Sequence, residues 1–115
     1  MCYTDSMAND LVREDLLFTV RDVFGRIVGT TKRYWQKIKE EKHTELTAGP
    51  DDIVEALVRP DEVYRSVQDP YIALYYKKVD EGYLVILVKF VGDAGFVVTC
   101  YQTTKTKRKG DKLWP

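Results

Sequence analysis

Apolar and polar positions alternate most clearly in the last third of the chain. Residues 83–90 form an almost continuous apolar run, and residues 96–105 change from a valine-rich start to a polar end. The loop 91–95 between them is short and contains two glycines. Two such runs joined by a short glycine-containing loop are typical of an antiparallel β-hairpin. The sequence therefore predicts a hairpin over residues 83–105.

One face of the second predicted strand is polar. Side chains alternate between the two faces of a strand, so Val98 and Cys100 share an apolar face. If Phe90 pairs with Phe96, Lys89 lies beside Thr99 on the opposite, polar face. The side chains expected on that polar face are Lys89, Thr99, Tyr101, Thr103 and Lys105. A lysine, hydroxyls and a phenol on one patch suit the binding or cleavage of a phosphodiester. The alternative is the solvated face that most antiparallel sheets have.

The remaining pattern predicts four further strands and two helices. The strands are expected at residues 16–20, 26–29, 62–67 and 71–78. A first helix is expected from a cap at Thr30 or Thr31 to Lys42, with Tyr34, Trp35 and Ile38 on one apolar face. A second helix begins at Pro50 after Gly49 and ends before Pro60.

This order predicts an α+β fold. We expect two N-terminal helices packed on an antiparallel, mainly four-stranded sheet, preceded by a short β-hairpin. A chain of 115 residues is expected to form one domain. Residues 1–14 are expected to be a mobile N-terminal segment, and residues 105–115 a basic C-terminal tail. Such a tail can follow a phosphate backbone or be a solvated terminus.

Charge and cysteine content exclude several classes of protein. The formal net charge is zero, which argues against a general polyanion binder. Cys2 and Cys100 lie far apart, so we expect neither a disulfide framework nor a cysteine-based metal site. The start of the chain has no signal-peptide pattern and no apolar run reaches the length of a membrane span, so a cytoplasmic protein without membrane contact is expected.

The only histidine, His43, lies between the two predicted helices. A single histidine can be structural, exposed, or a proton-transfer group, because imidazole titrates nearest neutrality. No second histidine or cysteine cluster accompanies it, so no zinc and no other cofactor is expected. Glycine-rich phosphate loops and nucleophile elbows are also absent from the sequence.

Several short motifs together resemble a known family. They are the run Asp22 to Ile38, then Lys42-His43, then Val58-Arg-Pro-Asp-Glu-Val63, the strand with Tyr75-Tyr76-Lys77, Leu87-Val-Lys89, and Val98 to Lys105 followed by Lys109 to Trp114. In order and spacing the chain is similar to the barnase–EndoU–colicin–RelE nuclease superfamily, in particular its phage-associated branch. The resemblance covers residues 22–114.

The resemblance implies metal-independent RNA cleavage, in which the ribose 2′-hydroxyl attacks the adjacent phosphorus. It implies His43 as the proton-transfer group and Lys89 as the cation that stabilises the phosphorane. Thr99 and Tyr101 would hold the phosphate or assist proton transfer. The residues expected to bind nucleic acid are Arg65, Tyr76, Lys77, Thr103, Lys105 and Lys107.

Partners and activity are expected from the same resemblance. The protein would be a toxin of a toxin–antitoxin or phage-related system, with RNA as substrate and a cognate antitoxin or immunity protein as partner. The sequence leaves the oligomeric state open. Relatives have proline after the histidine, whereas this chain has Thr44, which leaves the direction of His43 open. The alternative function is a catalytically inactive module of the same fold that binds RNA or a protein.

Overall fold

The computed structural model describes residues 16–42, 48–105 and 108–115. These residues form one seven-stranded sheet and two helices. The strands are β1 (Leu16–Arg21), β2 (Ile27–Thr31), β3 (Glu62–Arg65), β4 (Ile72–Val79), β5 (Gly82–Val91), β6 (Ala94–Thr103) and β7 (Lys112–Trp114). The helices are α1 (Lys32–Lys42) and α2 (Pro50–Val58). Neither of these helices is long and apolar enough to cross a bilayer.

The strands lie side by side in the order β1-β2-β6-β5-β4-β3-β7. Strands β3 to β6 follow one another as an antiparallel meander with short connections. The β1–β2 hairpin joins this meander at β6, where β2 runs parallel to β6 over Ile27–Gly29. At the other edge β7 pairs antiparallel with β3. The sheet is therefore mixed, with one parallel pair.

The predicted fold class is wrong in its sheet and in the place of its helices. The sheet has seven strands instead of four and is not wholly antiparallel. The helices follow the β1–β2 hairpin in the chain and are not N-terminal helices on a four-stranded sheet. The hairpin belongs to the same seven-stranded sheet as the other strands. The prediction of an antiparallel meander did not include the parallel pairing of β2 with β6. This pairing joins parts of the chain far apart in sequence and leaves no local signal.

Both helices begin at the residues that the sequence predicts. Thr31 Oγ1 accepts a hydrogen bond from the Tyr34 amide at 3.1 Å, which caps α1. The Gly49 amide donates to the Asp52 carboxylate at 2.9 Å, and Pro50 occupies the first turn of α2. Such contacts satisfy backbone groups that a helix end leaves unpaired.

The core lies on the side of the sheet that carries the two helices, here called the helix face. Its buried cluster includes Trp35 and Ile38 of α1, Ile53 and Leu57 of α2, and Tyr75, Ile86, Val88, Val97 and Cys100 of the central strands. The opposite side is here called the outer face. It carries the alternate residues of the same strands, such as Tyr76, Val85 and Tyr101.

The register of the β5–β6 hairpin differs in part from the prediction. Leu87 pairs with Thr99, as expected. Phe90 pairs with Gly95 instead of Phe96, and Lys89 pairs with Phe96 instead of Val97. The register shifts between Leu87 and Val88, which is the signature of a β-bulge. The bulge adds one residue to β6, so a prediction made from strict alternation fails beyond it.

A buried carboxylate fixes the turn between β1 and β2. Asp22 Oδ1 accepts the backbone amides of Phe24 and Arg26 at 3.0 and 2.8 Å. Its Oδ2 accepts the Tyr75 hydroxyl and the Arg26 guanidinium. The side chain of Asp22 is fully buried. Because a buried charge is costly unless it is paired, these bonds tie the turn to the middle of the sheet.

Candidate functional site

A row of polar and aromatic side chains crosses the outer face from β3 to β6. Glu62 pairs with Tyr76, Tyr76 with Val85, and Val85 with Tyr101. Directly paired residues of neighbouring strands project to the same side of the sheet. Val85 is fully buried, whereas Tyr101 is 37% exposed. Tyr76 is also buried, at 7% exposed, so the row is open to solvent at Glu62 and Tyr101 and covered between them.

Arg108 lies across this row. The chain after β6 must cross β5, β4 and β3 to reach β7, and Arg108 belongs to this crossing. Its guanidinium lies 4.0 Å from the ring centre of Tyr76 and 4.4 Å from that of Tyr83. Its Nε donates to Glu62 Oε1 at 2.8 Å. The crossing thus places a cation over the phenols and beside the carboxylate.

Glu62 is shared by two cations. Besides the bond from Arg108, its Oε2 lies 3.6 Å from Lys112 Nζ. The side chain of Arg108 is only 9% exposed, whereas that of Glu62 is 29% exposed. The guanidinium is therefore largely removed from water, where its field is stronger, and the carboxylate stays within reach of a ligand.

Burial keeps the two phenols in their protonated form. It raises the pKa of Tyr76 above the ordinary tyrosine value, and nearby Tyr101 adds to the effect. Burial also raises the pKa of Tyr101, while Arg108 and a hydrogen bond with Tyr76 partly offset the rise. Both hydroxyls are thus neutral at pH 7 and can donate a proton or a hydrogen bond.

Two further tyrosines flank the row. The rings of Tyr64 and Tyr83 lie edge-to-face against that of Tyr76, with centroids 6.0 and 6.3 Å away. Both are partly exposed. Partly exposed rings beside a cation are the usual surface on which unpaired bases stack.

The structure brings some predicted residues to this row and holds others away. Tyr76 and Tyr101 belong to it, and Thr103 pairs with Tyr83 next to it. Lys105 is exposed, and its carbonyl accepts a hydrogen bond from Arg108 Nη1 at 3.2 Å. The predicted catalytic residue Tyr101 and the predicted binding residues Tyr76, Thr103 and Lys105 thus lie near Arg108.

Thr99 and Lys89 share the outer face but do not meet. Thr99 lies in the next row of the sheet, paired with Leu87. Its hydroxyl is buried and has no hydrogen-bond partner among the described residues. The Lys89 ammonium lies 3.3 Å from the Asp69 carboxylate, in the loop between β3 and β4. Lys89 is thus on the expected face in the row next to Thr99, with its ammonium bonded to Asp69.

Lys77 and Arg65 lie on the helix face. Lys77 pairs with the core residue Leu84, and its ammonium donates to the carbonyl of Arg59 at 2.7 Å, near the end of α2. Arg65 pairs with the core residue Ala73 and is exposed. Neither side chain shares a surface with Tyr101. Their assignment to RNA binding left the face of each residue open, and the alternation of β3 and β4 places both opposite Tyr101.

Two predicted residues cannot be placed. His43, the expected proton-transfer group, and Lys107, an expected binding residue, lie outside the described residues. The same is true of Thr44 and of the expected mobile segment 1–14. These assignments stay predictions.

Sequence reasoning missed Glu62 and Arg108. A signal for Glu62 was present, because it alternates with Tyr64 on a predicted strand and so shares a face with that aromatic residue. Arg108 gave no such signal, since it lies in a run of basic residues that was interpreted as a tail. Only the pairing of β7 with β3 turns that run into a crossing segment.

An open groove of about 930 Å³ lies near the start of β5 and the end of β6. It is lined by Ala48, Asp52, Val79, Asp80, Glu81, Leu84, Gln102, Thr103, Thr104 and Lys105. Its three carboxylates outnumber its one lysine, which disfavours a phosphodiester. Within residues 16–42, 48–105 and 108–115, no three His, Cys, Asp or Glu side chains are grouped as metal ligands would be.

Comparisons of the chain with protein-family models, with curated proteins and with solved structures give no match. The row formed by Glu62, Tyr76, Tyr101 and Arg108 is the candidate functional site.

Proposed function

We propose that the protein is a metal-independent ribonuclease that cleaves single-stranded RNA on the outer face of its sheet. The observation that carries the proposal is the position of the Arg108 guanidinium, over the ring of Tyr76 and 2.8 Å from the Glu62 carboxylate. Transesterification of RNA needs a general base, a general acid and a cation, and a carboxylate, a protonated phenol and a guanidinium can fill these roles.

Glu62 would act as the general base. Its carboxylate accepts the proton of a ribose 2′-hydroxyl as the 2′-oxygen forms a bond to the adjacent phosphorus. The bond from phosphorus to the 5′-oxygen of the next nucleotide then breaks. The products are a 2′,3′-cyclic phosphate and a 5′-hydroxyl. A positioned base of this kind contributes typically about 10²–10⁴-fold to the rate.

Arg108 would stabilise the phosphorane. Its Nε is bonded to Glu62 and its Nη1 to the carbonyl of Lys105, which fixes the plane of the guanidinium. No hydrogen bond joins Nη2 to another described residue, so this nitrogen has donors to spare for a phosphate oxygen. A fixed guanidinium largely shielded from water stabilises charge with little reorganisation.

Tyr101 would act as the general acid. Its backbone lies three strands from that of Glu62, but its hydroxyl is hydrogen-bonded with Tyr76, whose ring lies 4.0 Å from the Arg108 guanidinium. Burial raises the pKa of its phenol, so the hydroxyl carries its proton at neutral pH. In the reaction that proton passes to the departing 5′-oxygen, and the proton held by Glu62 returns to the phenolate through solvent. Tyr64 and Tyr83 would hold neighbouring bases by stacking, which selects unpaired over duplex RNA.

The test is incubation of purified protein with end-labelled single-stranded RNA in EDTA, followed by analysis of the product ends. We expect 2′,3′-cyclic phosphate ends from the parent protein. Glu62→Gln removes the base, and Arg108→Lys removes the planar guanidinium, so each is expected to lower kcat by at least about 100-fold. Glu40→Gln is the matched control, because Glu40 is exposed on α1 and among the described residues is bonded only to Gln36.

Two results would contradict the proposal. One is unchanged cleavage in Glu62→Gln and Arg108→Lys preparations whose thermal unfolding matches that of the parent. The other is the absence of cleavage by the parent across RNAs of varied sequence. His43→Ala belongs in the same series, since the resemblance implies a proton-transfer role for His43 that should make this variant slower as well.

A module that binds RNA without cleaving it is the second candidate. The observation in its favour is that Arg108 Nε is bonded to Oε1 of Glu62 and Lys112 Nζ lies 3.6 Å from Oε2, so both oxygens of this carboxylate already have a partner. Binding of single-stranded RNA without any cleavage would support this second function.

A further inference from the structure

A second cation lies on the outer face, remote from Arg108. Lys89 projects from β5 in a row with Ile72 and Phe96. Its side chain is 35% exposed, and its ammonium lies 3.3 Å from one carboxylate oxygen of Asp69. An ammonium has three donors, so the bond to Asp69 leaves donors for a ligand.

The contact with Asp69 holds Lys89 at the end of the outer face that adjoins the β3–β4 loop. Asp69 itself is held by the loop, since its Oδ1 accepts the Tyr71 amide at 2.9 Å. This bond and the neighbouring Lys89 lower the pKa of Asp69, so the carboxylate stays charged at neutral pH. The ammonium is therefore held toward the β3–β4 loop and away from Tyr101.

Strand β5 sets the distance between Lys89 and the row over which Arg108 lies. Val85, which pairs with Tyr101, and Lys89 lie four residues apart on β5 and on the same face. At about 3.3 Å per residue their backbones are about 13 Å apart. Lys89 is directed away from the row of Glu62, so one phosphate group cannot contact both Arg108 and Lys89.

Between the two ends the surface is apolar. Leu74 and Leu87 pair with each other, and Tyr64 and Thr99 complete their row. All four side chains are partly exposed. A half-exposed apolar floor with an aromatic ring at its edge suits the face of an unpaired base better than a phosphate.

We propose that Lys89 binds a second phosphate of the same RNA strand, with a base lying on Leu74 and Leu87 between this phosphate and the scissile one. The inference rests on the proposed function, because it takes the row of Glu62 as the place of cleavage. It assigns Lys89 to substrate binding at a distance and not to the chemical step. The substrate is then a single strand that extends across the outer face.

The experiment measures binding to oligonucleotides that cannot be cleaved. Fluorescein-labelled 2′-O-methyl dinucleotide and hexanucleotide are titrated with parent, Lys89→Gln and Lys39→Gln proteins at several salt concentrations. Lys39→Gln is the matched control, because Lys39 is exposed on α1 beside Trp35. Cleavage of the unmodified dinucleotide and hexanucleotide is measured in parallel.

Lys89→Gln is expected to weaken hexanucleotide binding about 5–10-fold through the loss of one charged contact. The slope of log affinity against log salt should fall by about 0.7, the value for one phosphate contact on a single strand. The preference for hexanucleotide over dinucleotide in kcat/KM should fall by a similar factor. Lys39→Gln should change none of these quantities.

The outcomes separate the two proposals. An unchanged salt slope in Lys89→Gln, or no hexanucleotide binding by the parent, overturns the second phosphate site. If Lys89→Gln loses the same factor of affinity for the dinucleotide as for the hexanucleotide, the second site is also overturned, because Lys89 then contacts the scissile phosphate. A length-dependent loss of binding in a protein that cleaves no RNA would support the second site while contradicting the ribonuclease.

Discussion

The ring of Phe24 packs edge-to-face against the ring of Trp114, with centroids 6.2 Å apart. Phe24 belongs to the turn between β1 and β2, and Trp114 belongs to β7, so the contact joins opposite edges of the sheet. The same turn is bonded to α2, where the Val23 amide donates to the carbonyl of Leu57 at 3.0 Å. The β1–β2 turn therefore joins α2 to the far edge of the sheet.

This contact predicts a measurable coupling between the two edges. In a double-mutant cycle of Phe24→Leu and Trp114→Leu, the free energies of unfolding are expected to be non-additive by about 1 kcal/mol, as is usual for an aromatic pair. Urea denaturation of the four proteins gives the coupling. If the changes in the free energy of unfolding add to within a few tenths of a kcal/mol, the two rings do not stabilise each other.

Tyr75→Phe should destabilise the protein far more than the loss of an exposed hydroxyl. It removes a buried hydrogen bond to the Asp22 carboxylate, which leaves the charge less well solvated. We expect a loss of about 2 kcal/mol in the free energy of unfolding. Tyr71→Phe is the control, because Tyr71 is 65% exposed and should change stability by less than about 0.5 kcal/mol. Similar values for the two variants would mean that Asp22 does not depend on Tyr75.

Gly110→Ala should displace the crossing segment that carries Arg108. Gly110 has φ of 89°, and a Cβ added there would lie 2.0 Å from the carbonyl oxygen of Arg65. That atom is backbone and cannot rotate aside. We therefore expect a loss of about 3 kcal/mol from backbone strain and steric overlap together. The proposed RNA cleavage should fall as well, since the displacement moves Arg108 away from Glu62.

Gly92→Ala provides the control for Gly110→Ala. Gly92 has φ of 64°, but no heavy atom lies within 4 Å of its would-be Cβ. The control variant experiences the backbone strain alone, about 1 kcal/mol, and should keep its activity. Denaturation and cleavage assays of both variants separate strain from displacement. Equal effects of the two substitutions on cleavage would contradict a role for the crossing segment.

Cys100 should be nearly unreactive in the folded protein. Burial raises the pKa of its thiol from 9.0 to about 11. At pH 8 the thiolate is then about 100-fold rarer than in the unfolded chain, and access is restricted as well. The variant Cys2→Ser leaves Cys100 as the only thiol. Its alkylation by iodoacetamide is expected to be at least 100-fold slower than in urea; a rate close to that in urea would contradict the burial of Cys100.

The same thiol adds a pH dependence to stability. Its pKa is higher in the folded state, so the unfolded chain loses the proton first as the pH rises. The contribution of Cys100 is complete below about pH 9 and is lost between about pH 9 and pH 11. Replacing Cys100 by Ala should remove this part of the alkaline decline, as measured by urea denaturation across that range.

The local parts of the fold could be predicted because their signals are local. Thr31, Gly49 and Pro50 mark the helix starts, and the runs around residues 72–103 mark the central strands. The sheet order could not be predicted, because the pairing of β2 with β6 and of β3 with β7 joins residues that share no turn or periodic pattern.

As with the fold, the parts of the candidate site that depend on local patterns could be predicted and the parts that depend on long-range pairing could not. Tyr101 was assigned to the polar face by simple alternation, and that face is the outer face. The partner of Lys89 was misplaced because one extra residue at the bulge shifts the register of β6. Arg108 could not be assigned at all, because its position depends on a non-local crossing over three strands.

The two long-range pairings also predict an order of assembly. The meander β3 to β6 closes only short loops, whereas β2 with β6 and β3 with β7 must bring together parts of the chain far apart in sequence, which is entropically unfavourable and slow. Glu62, Tyr76 and Tyr101 belong to the meander and can align early. Arg108 joins them only when β7 docks. A folding intermediate that consists of the meander alone would therefore carry the carboxylate and the phenols without their cation, and activity would appear with the slowest step of folding.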